Sequence, residues 1–402
     1  MTPSPFPVIR LKPKTSPKAV RFGAPWVYDN ELVTDRRTKA IVPGTIALLE
    51  DAERAPLALV AVNPASRIMA RVLDLDTSAQ IDRAWLTRRL VRALELRETL
   101  FDAPYYRLIH AEADGMPGVI IDRFGDTCVI QPNAVWADVM QEDLAAATAE
   151  VTGARNILKN ASGRARGLEG LDDVSAGLMG SAPDAPVHVP MNGATYLADL
   201  TGGQKTGLFY DQRPNHAFAA RLSKGARVLD VFSHVGGFSL AAMAAGASSA
   251  LAVDGSEPAL TLAQGGADAM GLGDAFQMRR GDAFDVLMAL GQEGATFDVV
   301  ICDPPAFAPS KKALEAGLRA YERTARLAAP LVRPGGYLGL CSCSHAADMD
   351  AFRRASLRGI GRGLHETGRS AQLIHTGGAG PDHPMHPQLA ESGYLKALFF
   401  RL

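Results

Sequence analysis

The sequence predicts an α/β protein: a parallel sheet covered on both faces by helices, preceded by a β-rich segment and a small α+β module. Two observations carry this. From about Lys224 onward, strand-like runs alternate with helical ones, and runs such as Val228-Leu229-Asp230-Val231-Phe232 are nearly all apolar, as strands buried on both faces must be. Before that, the residues from Val8 to about Asp76 break into short apolar runs separated by turn residues. The 402 residues, 47% hydrophobic and 21% charged, are enough for two or three cores.

In chain order, the first segment holds candidate strands at Val8–Leu11, Trp26–Tyr28, Thr45–Leu49, Leu57–Ala61 and Met69–Leu73. Its first 40 residues carry eight Lys/Arg against three acids, a local excess of five. This is either a solvated face or a surface that contacts phosphates, since neutralising phosphates releases counterions and favours RNA binding. A helix is expected over about Ile81–Phe101, with apolar residues at helical spacing. Strands then follow at Tyr106–His110, Val119–Arg123 and Thr127–Gln131, a helix over about Ala137–Val151 and a strand at Asn156–Lys159. Gly167–Pro186, rich in Gly, Asp, Ser and Pro, reads as a boundary loop. After it, Val187–Val189 and Thr195–Asp199 flank Asn192-Gly193, the dipeptide of a type I′ hairpin. The alternating region has strands at Arg227–Phe232, Ala250–Asp254, Phe276–Arg279, Val299–Cys302, Tyr337–Cys341, Ala371–His375 and Tyr394–Phe400. Helices lie between the first five and before the sixth. The last two are joined by a Gly/His/Pro-rich loop and are expected to pair antiparallel at the sheet edge. The domain limits drawn from this are 1–76, 77–186 and 187–402.

Composition excludes several classes. The net charge of −1 advertises no global affinity for polyanions. The most apolar window, Phe238–Val253, is broken by Gly246, Ser248 and Ser249 and falls short of the roughly 20 residues of a membrane span. Four cysteines in 402 residues make no disulfide framework, and only Cys341 and Cys343 lie close together, too few for a zinc site. The expectation is a reduced, cytoplasmic, metal-free protein.

Several predicted strands end in an acid or an acid-led turn, at the edge where open α/β sheets bind ligands. The first runs from Asp230 through Phe232, Ser233, Gly236 and Gly237 into a helix. The Gly-x-Gly-x-x-Gly series of a dinucleotide site is absent, and an acid in this turn disfavours phosphate and favours an amino-bearing ligand. Asp254, 24 residues on, is placed to accept both ribose hydroxyls, and Gly281-Asp282-Ala283 to hold an adenine amine. Each acid alone is equally a good helix cap. Three on successive strand ends match what S-adenosylmethionine needs.

After the fourth strand come Asp303-Pro304-Pro305-Ala306-Phe307. The prolines end the ladder and stiffen the turn so that Asp303 projects, able to accept an exocyclic amine, while Phe307 is placed to stack on a flipped base. The fifth strand ends in Cys341-Ser342-Cys343-Ser344, and alternation puts both thiols on one face, near Asp303.

The segment Gly202-Gly203-Gln204-Lys205-Thr206-Gly207-Leu208-Phe209-Tyr210-Asp211-Gln212-Arg213 resembles the signature of bacterial 23S ribosomal RNA cytosine-5 methyltransferases with an N-terminal PUA domain. Two further motifs are similar to that family, Gly23-Ala24-Pro25-Trp26-Val27 and His110 through Gly118, as are Asp-Pro-Pro-x-Phe and Cys-Ser-Cys-Ser. The resemblance implies a PUA domain over 1–76, a central α+β domain over 77–186 and a class I, Rossmann-like methyltransferase domain over 187–402. It implies S-adenosylmethionine as cofactor, lined by Asp230, Phe232, Ser233, Gly236, Gly237, Asp254, Asp282, Ala283 and Asp303. It places Gln204, Lys205, Thr206, Arg213, Pro304, Pro305 and Phe307 around an RNA substrate, with 23S ribosomal RNA as partner, no membrane, and a homodimer left open. The sequence departs from the family at His234-Val235, Met191, Ala306 and Leu340, where Tyr-Thr, Glu, Lys and Thr are usual.

Three functions compete. Carbon 5 of cytosine is a poor nucleophile, so a cytosine-5 enzyme needs a thiolate that adds to carbon 6. A guanine-N7 enzyme on the same fold needs none, and a non-catalytic RNA-binding assembly factor needs neither the thiols nor intact acids. The cysteine pair favours cytosine. By resemblance the nucleophile is followed by Ser or Thr and, a few residues on, an acid, which fits Cys343-Ser344-His345-Ala346-Ala347-Asp348. Cys343 also lies past the apolar run, near a helix start that favours thiolate. Cys341 is then a packed neighbour or a helper in product release, and Asp303 holds the base.

Overall fold

The computed structural model describes residues 6–202 and 207–402, and the chain divides into two compact units. One is Met1–Pro183 with Asp382–Ala390; the other is Asp184–Pro381 with Glu391–Leu402. No helix among the described residues is long and apolar enough to cross a membrane.

In the first unit, β1 (Val8–Arg10), β2 (Trp26–Val27), β3 (Thr45–Glu50), β4 (Pro56–Val62) and β5 (Ala70–Asp74) form a sheet in the order β1-β3-β4-β5-β2. These are the five strands expected, each within one residue of its expected ends. β4 is buried from Leu57 to Val62 because it is the middle strand, which explains its unbroken apolar run. A second sheet, in the order β10-β9-β8-β7-β6, is built from β6 (Tyr105–His110), β7 (Val119–Phe124), β8 (Thr127–Pro132), β9 (Asn156–Lys159) and β10 (Ala176–Met179). The helices Arg83–Leu100 and Gln141–Thr152 bury Trp85, Leu86, Leu90, Leu144 and Ala147 with Ile109, Ile121 and Ile130 of this sheet.

Two expectations need correction here. The helix expected over Ala137–Val151 is two helices, Val135–Val139 and Gln141–Thr152, which break at Met140. The first is anchored separately by buried Trp136, whose Nε1 donates to the Pro117 carbonyl at 2.9 Å. The expected boundary loop Gly167–Pro186 begins inside the helix Arg164–Glu169 and contains β10, an edge strand antiparallel to β9. Ala-Gly-Leu-Met is exposed at an edge and carries no apolar alternation, so nothing in its sequence marks a strand.

The two shorter family-like motifs meet in this unit. Trp26 Nε1 donates to Glu112 Oε1 at 2.8 Å, Arg71 pairs with both Glu112 (3.1 Å) and Glu169 (3.0 Å), and its guanidinium lies 6.0 Å from the Trp26 ring centroid. Asn63 and Ser66 also donate to the Glu169 carboxylate. Together these residues form a charged lock between the first sheet and two segments beyond it, the turn Ala111–Asp114 and the helix Arg164–Glu169.

His110, in the second motif, is driven down to about 2, chiefly by burial and then by His383, Arg107 and Arg97. A histidine kept neutral in the fold stabilises it above its unfolded pKa of about 6.5, and that stability is lost as pH falls. Urea unfolding followed by tryptophan fluorescence reads this unit, since Trp26, Trp85 and Trp136 all lie in it. Stability should drop below pH 6.5 with a slope of up to about 1.4 kcal/mol per pH unit from this one group. His110→Asn should flatten the slope between pH 6.5 and 5, and an unchanged slope would show that His110 titrates normally.

In the second unit, β11 (Val187–Met191) and β12 (Ala194–Ala198) form the expected hairpin. Asn192 and Gly193 take φ of +54° and +76°, the left-handed pair a type I′ turn requires. A seven-stranded sheet follows from β13 (Arg227–Val231), β14 (Ser249–Asp254), β15 (Phe276–Arg280), β16 (Phe297–Cys302), β17 (Val332–Ser342), β18 (Gln372–Gly377) and β19 (Lys396–Arg401). Its order is β15-β14-β13-β16-β17-β19-β18, with the first five parallel and β19 antiparallel to both its neighbours. The last two strands do pair antiparallel, and β19 slots between β17 and the edge strand β18. Leu229, Val231, Val300, Leu338 and Phe400 make the core with Tyr321 and Phe352 from the helices Leu314–Ala328 and Met349–Leu364. Strand order reverses at β13, which has β14 on one side and β16 on the other, and the carboxyl ends of strands at such a reversal are where open α/β sheets bind ligands.

Candidate active site

The site lies along the carboxyl edge of this sheet. β13 ends at Val231, and the turn to the helix Gly237–Ala244 places Phe232 (φ +64°), His234 (φ +49°) and Gly236 (φ +82°) in left-handed conformations. Such strain at two non-glycine residues persists only where surroundings enforce it, and it concentrates at ligand sites. A side chain at Gly237 is excluded, because a Cβ there would sit 2.7 Å from His216 Nε2. Tyr196 Oη donates to the Gly237 carbonyl at 3.0 Å from the hairpin.

Asp230 lies beneath this turn. Its carboxylate is wholly buried and accepts the Ser239 N–H at 2.8 Å. Burial raises it to about 6, with hydrogen bonds from Ser239 pulling it back and the Asp254 charge pushing it up. Asp254, half-buried at the end of β14, accepts the His234 N–H (2.9 Å) through one oxygen and the Ser256 N–H (2.8 Å) through the other. Asp282, exposed after β15, caps the helix Ala283–Gln292 by accepting from Phe284 and Asp285 through the same oxygen. The three acids thus act as caps and turn anchors and also line successive strand ends. Ala283 gives its methyl group to the core, which limits it to a first-turn backbone N–H.

Asp303 follows β16 and donates its N–H to the Val231 carbonyl at 3.2 Å, across the strand reversal. Pro304 is buried and Pro305 exposed. Phe307 is half-buried among Phe232 (6.2 Å between centroids), Phe284 (6.1 Å) and Tyr321 (5.0 Å). The ring expected to stack on a flipped base thus belongs to an aromatic cluster and keeps one part of its surface exposed.

The two thiols differ sharply. Cys341, inside β17, is buried; desolvation pushes its thiol well above the ordinary range, and the Asp303 carboxylate adds to this, opposed by a hydrogen bond with Gln212. Cys302 is likewise buried and raised. Cys343 lies one residue past β17 and is part-exposed. Ser342 and Ser344 both reach Tyr321 Oη, at 2.8 and 2.7 Å, so the alternating Cys341 and Cys343 lie on the other side.

From the long signature segment, Arg213 lies with its guanidinium 5.4 Å from the Tyr210 ring centroid. Gln204, Lys205 and Thr206 lie outside the described residues. Gln212, Tyr321 and Lys396 stand beside these turns and are not among the site residues expected from the sequence. Gln212 sits within the signature motif, and Lys396 is a lone lysine in an apolar run, a usable signal. Tyr321 carried none, being one aromatic at core spacing in a helix.

The model of the S-adenosylmethionine-dependent methyltransferase family matches residues 139–401, and that of the PUA-like domain matches residues 9–75. Ribosomal RNA large subunit methyltransferase I of Shewanella amazonensis is 35% identical over 398 residues, covering 98% of this chain and 99% of that protein. The chain belongs to the ribosomal RNA large subunit methyltransferase I family of S-adenosylmethionine-dependent enzymes. The Cronobacter sakazakii relative of the same name is 33% identical and covers 92% of this chain and 93% of its own. The fold of the methyltransferase is shared with a Streptococcus mutans chain described as a SAM-dependent methyltransferase, at a TM-score of 0.80 and 18% identity, covering 98% and 100% of the two chains.

The residues present fit the cofactor. Asp230 Oδ1 and Ser233 Oγ are buried without a hydrogen-bond partner among the described residues, at the turn where an amino group would enter. Asp254 keeps one lone pair on each oxygen after its two backbone bonds.

Proposed function

We propose that this methyltransferase acts on carbon 5 of a cytosine in 23S ribosomal RNA, with Cys343 as the nucleophile and Asp303 holding the base. The observation that carries this is the pair of unlike thiols at the carboxyl end of β17: one buried and held protonated, one part-exposed at the site edge. The Cys343 sulfur would bond to carbon 6, and the electron pair of the ring double bond would move to carbon 5. Asp303 would accept the exocyclic amine and favour protonation of the ring nitrogen as charge develops. S-adenosylmethionine, when bound, supplies the methyl group that carbon 5 takes up. A water molecule acting as base would then take the carbon-5 proton, the freed electron pair would re-form the carbon 5–carbon 6 double bond, and the carbon–sulfur bond would break to release Cys343 as thiolate. Asp254 would hold the ribose, Asp282 the adenine, and the Asp230 turn the amino acid end of the cofactor. Arg213 would contact the RNA substrate, a role the family resemblance extends to Gln204, Lys205 and Thr206. Residues 1–76 would bind RNA, 77–186 would form a central domain and 187–402 would carry methyl transfer.

Mass spectrometry of nucleosides from RNA treated with the enzyme tests the reaction. 5-Methylcytidine supports it, whereas 7-methylguanosine would overturn it. Bisulfite sequencing of ribosomal RNA from a strain lacking the gene would locate the nucleotide.

RNA binding is assigned to the cations of the basic N-terminal segment that the fold leaves exposed, because several of the basic side chains there and in the helix Met349–Leu364 are already paired. Arg21 is ion-paired with Asp51 (3.1 Å), Arg10 with Glu50 (2.9 Å), and Lys12 donates to the Asn30 carbonyl. In the basic helix Met349–Leu364, Arg353 pairs with Asp350, and Arg358 and Arg362 with Glu322. Exposed Lys14, Lys18 and Arg37 are therefore the better test. Replacing all three by alanine should flatten the dependence of log Kd on log salt by about one unit for each phosphate no longer neutralised, with cofactor affinity unchanged. An unchanged slope would move the RNA surface elsewhere.

A further inference from the structure

The turn that carries Cys343 is fastened from three sides. Lys396 of β19 is only 5% exposed, and its Nζ donates to the carbonyls of Ser344 (2.7 Å) and Ala347 (2.8 Å), on either side of the loop. Ser344 Oγ shares a hydrogen with Tyr321 Oη and accepts the Ala308 N–H at 2.9 Å, while Ser342 Oγ donates to Tyr321 Oη. Ala308 lies five residues past Asp303, so this buried network ties the proline turn and the cysteine turn together. Asp348 closes the far side by capping the helix Met349–Leu364, accepting the Ala351 N–H at 2.7 Å.

A buried lysine that meets two backbone carbonyls and no carboxylate within ion-pair distance, among the described residues, is an expensive choice for a merely structural peg. The charges within reach of its ammonium are Cys343 and Asp348, which push its pKa up against the burial that lowers it. Tyr321 holds Ser342 and Ser344, the residues on either side of Cys343, from the helix Leu314–Ala328, His345 adjoins Cys343 on its own turn, and Asp303 acts on the neighbouring thiol, Cys341.

We propose that Lys396 is a positioning residue for the reaction: it fixes the backbone of the Cys343 turn and supplies the cation that the cysteine thiolate faces. This rests on Cys343 being the nucleophile. Opposite charge favours the ionised thiol, and a thiolate is the attacking species. The Tyr321–Ser344 network sets where that sulfur stands relative to Asp303.

Iodoacetamide labelling of the full-length enzyme across pH 6–10, resolved by peptide mass spectrometry at Cys343, separates this role from that of a purely structural peg. Lys396→Met keeps the length and apolar volume of the stem and removes the charge. It should slow Cys343 alkylation at pH 7 by about tenfold, moving the midpoint up by about one pH unit. It should also lower kcat by at least that factor while leaving the Kd for S-adenosylmethionine unchanged. Lys396→Arg should restore alkylation at least in part. Tyr321→Phe, nearly isosteric, should leave the alkylation midpoint in place and lower kcat. An unshifted Cys343 midpoint in Lys396→Met, in a protein that still binds the cofactor, overturns the proposal even if turnover falls. If Lys396→Met shifts the midpoint as expected but Cys343→Ser keeps full turnover, it is the nucleophile assignment that fails, and with it the catalytic meaning of the clamp.

Discussion

Cys343→Ala is expected to bind S-adenosylmethionine with the wild-type dissociation constant and to transfer no measurable methyl group. Cytosine carbon 5 has too little electron density to take a methyl group until a nucleophile adds at carbon 6, so the loss is of a covalent step rather than of one hydrogen bond. A fall of at least about four decades corresponds to about 5.4 kcal/mol of lost transition-state stabilisation. Cys341→Ala tests the alternative. Its thiol is buried and held protonated by desolvation and by Asp303, so substitution removes a packed sulfur and a hydrogen bond with Gln212 but no attacking group. It should retain turnover within about tenfold. RNA carrying 5-fluorocytosine should trap the wild type covalently, because fluorine cannot leave as a proton does, and should not trap Cys343→Ala. A dead Cys341→Ala beside an active Cys343→Ala reverses the assignment; activity in both excludes thiol catalysis.

Asp254→Ala should weaken cofactor binding at least tenfold in calorimetric titration. Each charge-assisted bond from a ribose hydroxyl is worth about 1.5–3 kcal/mol, and about 1.4 kcal/mol is a decade in affinity. The same carboxylate also anchors the strained turn through the His234 N–H and the next turn through the Ser256 N–H, so its removal loosens the site as well. Asp254→Asn separates the two effects. It keeps one oxygen acceptor and the side chain's shape, so it should weaken binding less than alanine does. Affinity unchanged in both variants would show that the ribose lies elsewhere.

The sequence by itself determined the elements and most of the edge on which the site stands. The five N-terminal strands, the type I′ hairpin, the alternation from β13 to β17 and the acids at Asp230, Asp254 and Asp282 all follow from local rules. Apolar period, turn chemistry and the residue at the end of a strand are written in a few consecutive positions. What required the tertiary structure is everything that depends on neighbours distant in sequence. β10 became a strand only because β9 offered it an edge. Phe307 joined a cluster because Phe232, Phe284 and Tyr321 converge on it from three other segments. Arg21 and Arg358 look like free cations in the sequence and are partnered by Asp51 and Glu322 in the fold. Cys341 and Cys343 are two residues apart and share a composition, yet one is buried against Gln212 and Asp303 while the other stands part-exposed beside the lysine-fastened turn. A thiol's reactivity is set by desolvation and nearby charge, and both are supplied by residues as far away in the chain as Gln212 and Lys396.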